Sequence, residues 1–181
     1  MTGNFIGDFV KGKNLAARFQ PDIVLGIELH RSIDFFTDTH TIVHASKKRL
    51  FTKYRHYSGV IVDVFYDHFL AHTWSKFHDE PLETFAAKAY KILQEHDSIL
   101  PDEVKHLLPY MISGNWLVGY SKIEGVHKAL SGMASRTPYE SRMELASTDL
   151  REHYDLFASE FSEFFPQLKA FCEEYLTSRG A

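Results

Sequence analysis

The chain has 181 residues, 44% of them hydrophobic, and a formal net charge of -4. That is enough apolar material for one sizeable core and too little length to favour two, so a single domain over residues 1–181 is expected. The acidic balance argues against nucleic-acid binding, and one cysteine, with no apolar run near the ~20 residues of a membrane span, leaves neither a disulfide framework nor a membrane anchor, so a cytoplasmic protein is expected.

Apolar residues recur at three- and four-residue spacing, alternating strand patterns are absent, and the few prolines sit where helices begin, which predicts an all-α single-domain helical bundle. The 15 Phe and 9 Tyr are first of all filling for the space between helices. The chain opens with Gly3-Asn-Phe-Ile-Gly-Asp-Phe-Val-Lys-Gly12, where Asp8 sits among apolar residues and glycines. A carboxylate in that setting suits either a turn or a ligand role.

A first helix is predicted from Pro21-Asp22, with proline fixing the first turn and the acid complementing the helix dipole, and runs to about Asp38. One face of it carries Ile23, Ile27, His30, Asp34 and Asp38, beginning apolar and ending polar. His30 and Asp34, four residues apart, suit a shared metal ion, and equally a pair in which the carboxylate only orients the imidazole. The next helix, Thr41 to Tyr54, contains a basic stretch: Lys47, Lys48, Arg49 and Lys53, followed by Arg55. A helix from Ser58 to Lys76 carries Asp63 and Asp67 at four-residue spacing, with His68 and His72 on the neighbouring stripe. Carboxylates in so apolar a helix need water, a base or a cation, and a divalent ion would turn their mutual repulsion into attraction.

Helices are further expected at Leu82 to His96, Pro101 to Met111, Trp116 to Tyr120, Ile123 to Ser135, and in one long segment from Tyr139 to Ser178 with a break at Pro166, because an interior proline removes a hydrogen bond. Ser135 and Arg136 could meet a phosphate, since guanidinium presents a forked donor set, or Arg136 could be a plain surface residue at a helix end. Cys172 has no neighbouring histidine and reads as an inert thiol. The His and Asp clusters contain no thiolate, a donor set that suits Mn²⁺, Fe²⁺ or Mg²⁺ and also admits Zn²⁺. Such an ion polarises a phosphoryl oxygen and acidifies a bound water, so phosphodiester hydrolysis fits.

Three ordered stretches, Gly3 to Gly12, Gly26-Ile-Glu-Leu-His-Arg-Ser-Ile-Asp-Phe-Phe-Thr-Asp38 and Val62-Asp-Val-Phe-Tyr-Asp-His-Phe-Leu-Ala71, resemble the acyl carrier protein phosphodiesterases. Trp116-Leu117, Tyr120 and Gly132-Met-Ala-Ser-Arg136 extend the resemblance over nearly the whole chain. It implies an HD-domain-like helical bundle and metal-dependent hydrolysis, with Mn²⁺ as the expected ion and Mg²⁺ or Fe²⁺ as alternatives. The substrate would be the bond between 4'-phosphopantetheine and a serine of holo acyl carrier protein.

The resemblance carries over Asp8, His30, Asp34, Asp63, Asp67 and His68 without dividing direct ligands from orienting groups; Asp8, Asp34 and Asp63 are expected in catalysis and His30, Asp67 and His68 at the metal, while phosphate chemistry and charge make Arg136, Ser135, Lys48 and Arg49 the expected substrate-binding residues. The order Asp67-His68 reverses the His-Asp doublet of the broader HD superfamily, so ligand roles are not copied from it. Family members usually begin with a segment resembling Met-Asn-Phe-Leu-Ala-His, whereas this chain starts Met1-Thr2-Gly3, so a histidine of the metal site is expected to be missing. Acyl carrier proteins are small and acidic, which makes Lys47 to Arg55 the expected docking stretch. Two other readings stay open: an HD-like phosphohydrolase of a nucleotide or small phosphodiester, and a non-catalytic helical protein that binds acyl carrier protein.

Overall fold

A computed structural model describes residues 1–180, and among these every regular element is helical. Helix α1 (Thr2–Phe5) and a 3₁₀ turn (Gly7–Phe9) precede α2 (Pro21–Thr39), α3 (Thr41–Tyr54) and α4 (Ser58–His72). Then follow α5 (Leu82–Glu95), α6 (Asp102–Ser113), α7 (Trp116–Gly119), α8 (Ile123–Arg136), α9 (Ala146–Glu152) and α10 (Tyr154–Ser178).

Two apolar clusters hold the bundle together. One gathers Ile6, Val10, Ile23 and Ile27 with Tyr90, Leu93, Val104 and Leu108 of α5 and α6. The other packs Val43, Leu50, Phe65, Leu130, Leu150, Phe157 and Phe161 from α3, α4, α8, α9 and α10. Phe65 and Phe157 are fully buried and meet edge to face at 5.0 Å, each burial contributing roughly 1.5–3 kcal/mol. Helix α2 starts in the first cluster through Ile23 and Ile27 and reaches the second through Phe36. Its polar middle therefore lies at the junction of the two cores.

Three expected boundaries move. The helix predicted to Lys76 ends at His72, where Thr73 caps it by donating to the Phe69 carbonyl at 2.6 Å and a 3₁₀ turn follows. The segment from Tyr139 to Ser178 is not one helix: Arg142 takes a left-handed backbone, and His153 separates α9 from α10. Pro166 does not break α10. It lies on the exposed side, as does Ser162, so the carbonyl that proline leaves unpaired can bond to water, while Phe161, Phe164 and Phe165 before it and Leu168 after it anchor the helix. The glycine-rich start, for which no helix was expected, forms α1 and a 3₁₀ turn that carries Asp8.

The candidate site: an acidic cleft around His30

Close approach of backbones builds one wall of the cleft. A side chain at Gly26 would place its Cβ 2.7 Å from the Asn4 nitrogen and 2.9 Å from the Gly3 Cα, so glycine is what lets α1 lie directly on α2. Arg31 then ties down the following loop by donating to the Val10 carbonyl at 2.7 Å and the Gly12 carbonyl at 3.2 Å. Together these contacts hold Asp8 above the middle of α2.

There, His30 Nε2 lies 3.1 Å from Asp8 Oδ1 and 3.2 Å from Asp34 Oδ2. Neither contact has hydrogen-bonding geometry, so this buried nitrogen has no hydrogen-bond partner. His30 is 18% exposed and the two carboxylates 73% and 51%, an arrangement open on one side. The three residues present ligand atoms all within 4.8 Å of one another. An octahedral ion with bonds of about 2.1 Å has neighbouring ligands about 3 Å apart, which matches both measured separations. An unpartnered imidazole nitrogen between two carboxylates that approach without bonding it is what such an ion would resolve.

Gly7 makes this possible. A Cβ there would stand 2.3 Å from His30 Cγ and 2.4 Å from Cδ2, so the imidazole packs flat on a bare backbone. In Gly7→Ala the ring must swing away from Asp8, and we expect Mn²⁺ affinity to fall by about 10–100-fold, the scale for a lost orienting contact, with helical content preserved. Isothermal titration with Mn²⁺ alongside circular dichroism checks this; unchanged affinity would show that the ring does not depend on the glycine.

The opposite wall is α4. Asp63 and Asp67, one turn apart, line the same cleft of about 560 Å³ as Asp8, His30, Asp34 and Asp38, with Phe161 and Phe165 of α10 closing it. Both α4 carboxylates are open to the cleft, yet protein crowds them closely. Burial pushes Asp63 up to about 6, partly held down by the Lys47 ammonium. Burial, helped by the charge of Asp63, pushes Asp67 up to about 7. Burial also raises Asp34, with His30 opposing. Against five carboxylates, the fixed cation at the rim is Lys47, which donates to Asp38 Oδ1 at 2.7 Å. The cleft is a negatively charged bowl suited to a cation.

The expected site residues therefore divide. Asp8, His30, Asp34, Asp63 and Asp67 converge. His68 does not join them: one position along α4 from Asp67, it faces the core, is 1% exposed, and both its ring nitrogens are engaged. Nδ1 pairs with the Tyr120 carbonyl at 2.8 Å and Nε2 with the Tyr154 hydroxyl at 3.1 Å, so neither is free for a metal.

Ser135 and Arg136 line two other cavities, and the Ser135 hydroxyl donates to the Gly132 carbonyl of its own helix. Arg49 forms a forked pair with Glu160 at 2.8 and 2.7 Å and stacks on Phe157, which makes it a structural residue. Lys47 and Lys53 pair with Asp38 and Asp149, so of the four lysine and arginine residues between 47 and 53 only Lys48 has no ion-pair partner among the described residues. Two contributors went unassigned in the sequence: Lys47, grouped with the basic stretch, and Gly7, whose need for space is invisible without His30 above it. Cys172 is partly buried and burial raises its thiol, as expected for an inert side chain.

Residues 1–168 match the family model described as acyl carrier protein phosphodiesterase. Curated relatives named acyl carrier protein phosphodiesterase, from Escherichia coli K12 strain DH10B and from Escherichia coli O9:H4 strain HS, are each 34% identical over 174 residues, covering 94% of this chain and 88% of their own length. No solved structure matches the chain.

Proposed function

The chain belongs to the acyl carrier protein phosphodiesterase family, a family of hydrolases, and from that premise we propose that it uses the acidic cleft, with a divalent metal, to cleave phosphopantetheine from holo acyl carrier protein. The observation that carries the metal reading is the unbonded His30 nitrogen between the Asp8 and Asp34 carboxylates. These three residues would hold the ion. A divalent cation bound there supplies charge stabilisation to the phosphoryl oxygens and lowers the pKa of a water. Mn²⁺ is the proposed ion on the family resemblance, and the His and carboxylate donor set, which contains no thiolate, is compatible with it.

The chain's own groups divide the proton traffic. Water oxygen bonds to phosphorus, the bond from phosphorus to the seryl oxygen breaks, and the products are apo carrier protein and phosphopantetheine. Asp63, on the cleft wall, accepts the proton that water loses. Asp67, one turn along the same wall, returns a proton to the departing seryl oxygen. Gly7 seats the His30 ring between Asp8 and Asp34, and Lys47 holds Asp38 at the rim. Lys48 and Arg55 are the members of the basic stretch that remain to meet an acidic carrier surface.

The test is mass spectrometry of holo acyl carrier protein incubated with the chain and Mn²⁺. Conversion to the apo mass, with phosphopantetheine recovered in equal amount, is expected. Unchanged holo protein at stoichiometric enzyme would reject the reading in favour of a binding protein.

A further inference from the structure

A second cavity lies between α7 and α8. This groove of about 320 Å³ has Trp116, Tyr120, Ala129 and Met133 as its apolar walls. Lys122, Lys128 and Arg136 stand exposed around it, and among the described residues none of the three has an ion-pair partner. The one acid at its edge, Glu124, is held by Arg151 at 3.0 Å. The groove is thus apolar inside and positively charged at its rim, the reverse of the acidic cleft.

Two helical glycines keep it open. A Cβ at Gly119 would meet nothing within 4 Å, and one at Gly132 would meet only the flexible Arg136 guanidinium, at 3.5 Å. Neither has a backbone that demands glycine. Glycine inside a helix costs roughly 0.8–1.0 kcal/mol relative to alanine, so the fold gains nothing from Gly132 except the space it leaves.

Tyr120 lies against the helix that carries the acidic wall: it lines the groove, and its carbonyl accepts from His68, the residue next to Asp67 on α4. The pantetheine arm has matching ends: a charged phosphodiester and a long, uncharged, flexible chain ending in a thiol.

We propose that the groove between α7 and α8 receives the uncharged, thiol-bearing end of the pantetheine arm while the phosphodiester lies in the acidic cleft, and that Lys122, Lys128 and Arg136 meet the acidic surface of the carrier beside it. The proposal rests on the phosphodiesterase reading and adds where the rest of the substrate goes.

Free pantetheine, which lacks the phosphate, is the probe. Isothermal titration should show it binding the wild-type chain. Gly132→Leu, which fills the groove while favouring the helix, should weaken that binding by about tenfold, equivalent to about 1.4 kcal/mol. The exposed double variant Lys128→Glu/Arg136→Glu should raise KM for holo acyl carrier protein by a similar factor, more than it lowers kcat, and flatten its salt dependence. Wild-type pantetheine binding unaltered by Gly132→Leu, in a protein with wild-type melting, would overturn the groove assignment, as would failure of the wild type to bind pantetheine. An unchanged KM in the charge-reversed variant would overturn the rim assignment. A chain that binds pantetheine in the groove but leaves holo carrier intact would reject the phosphodiesterase reading and keep the groove.

Discussion

Replacing His30 with alanine is expected to lower turnover of holo acyl carrier protein by about 10²–10³-fold, the scale associated with losing a preorganised electrostatic group at the reacting centre. The imidazole is the one nitrogen in a cluster whose other members are carboxylates, and it lacks a hydrogen-bond partner of its own. Its removal leaves Asp8 and Asp34 facing each other across an empty position, so Mn²⁺ affinity should fall with activity. His68→Ala provides the contrast. That residue is more deeply buried, and its nitrogens pair with Tyr120 and Tyr154, so its loss opens a core cavity and leaves polar groups without partners, costing about 1–3 kcal/mol of stability. Metal stoichiometry should survive in His68→Ala and fail in His30→Ala. Calorimetric Mn²⁺ titration of both variants separates the roles; retained Mn²⁺ binding in His30→Ala would remove His30 from the ligand set.

The second large effect concerns stability and pH. Asp67 is raised to about 7 in the folded chain from an ordinary 3.8, so its ionised form is disfavoured by the fold. The resulting penalty is absent below about pH 4, grows as pH rises through the interval, and is complete above pH 7. Asp67→Asn removes it, and the metal-free variant should melt higher than wild type at pH 8, with the difference vanishing at pH 4. Because the side chain is open to the cleft, the penalty is discounted to about 1 kcal/mol, or about 2–4 °C for a chain of this size. Mn²⁺ at pH 8 should stabilise the wild type more than the variant and close the gap. Differential scanning calorimetry at the two pH values is the check, and a variant that melts lower at pH 8 would mean that Asp67 is not held in a disfavoured charge state.

Helical periodicity gave access to most of the site before any coordinates. His30 with Asp34, and Asp63 with Asp67, each lie one turn apart, and four-residue spacing puts such pairs on one face wherever the helix goes. Asp8 was legible only as a carboxylate in a glycine-rich setting, because the backbone contact between α1 and α2 that carries it to His30 joins residues far apart in sequence. His68 shows the limit of adjacency: the residue next to Asp67 points about 100° away around the helix, and here that is into the core. The basic stretch was misleading for a related reason. Its charges were visible, but their partners Glu160 and Asp149 lie more than ninety residues away, on α10 and α9. The cost of Pro166 depends on whether the freed carbonyl faces water or core, which packing decides and the local sequence does not show.

The rate of apo carrier formation, as Mn²⁺ is titrated into chelator-stripped wild-type protein, tests the account most directly. It predicts no turnover without metal and saturable activation by Mn²⁺, with much weaker activation in His30→Ala. Full turnover by the stripped protein, or equal activation of wild type and His30→Ala, would contradict a metal-dependent phosphodiesterase centred on Asp8, His30 and Asp34.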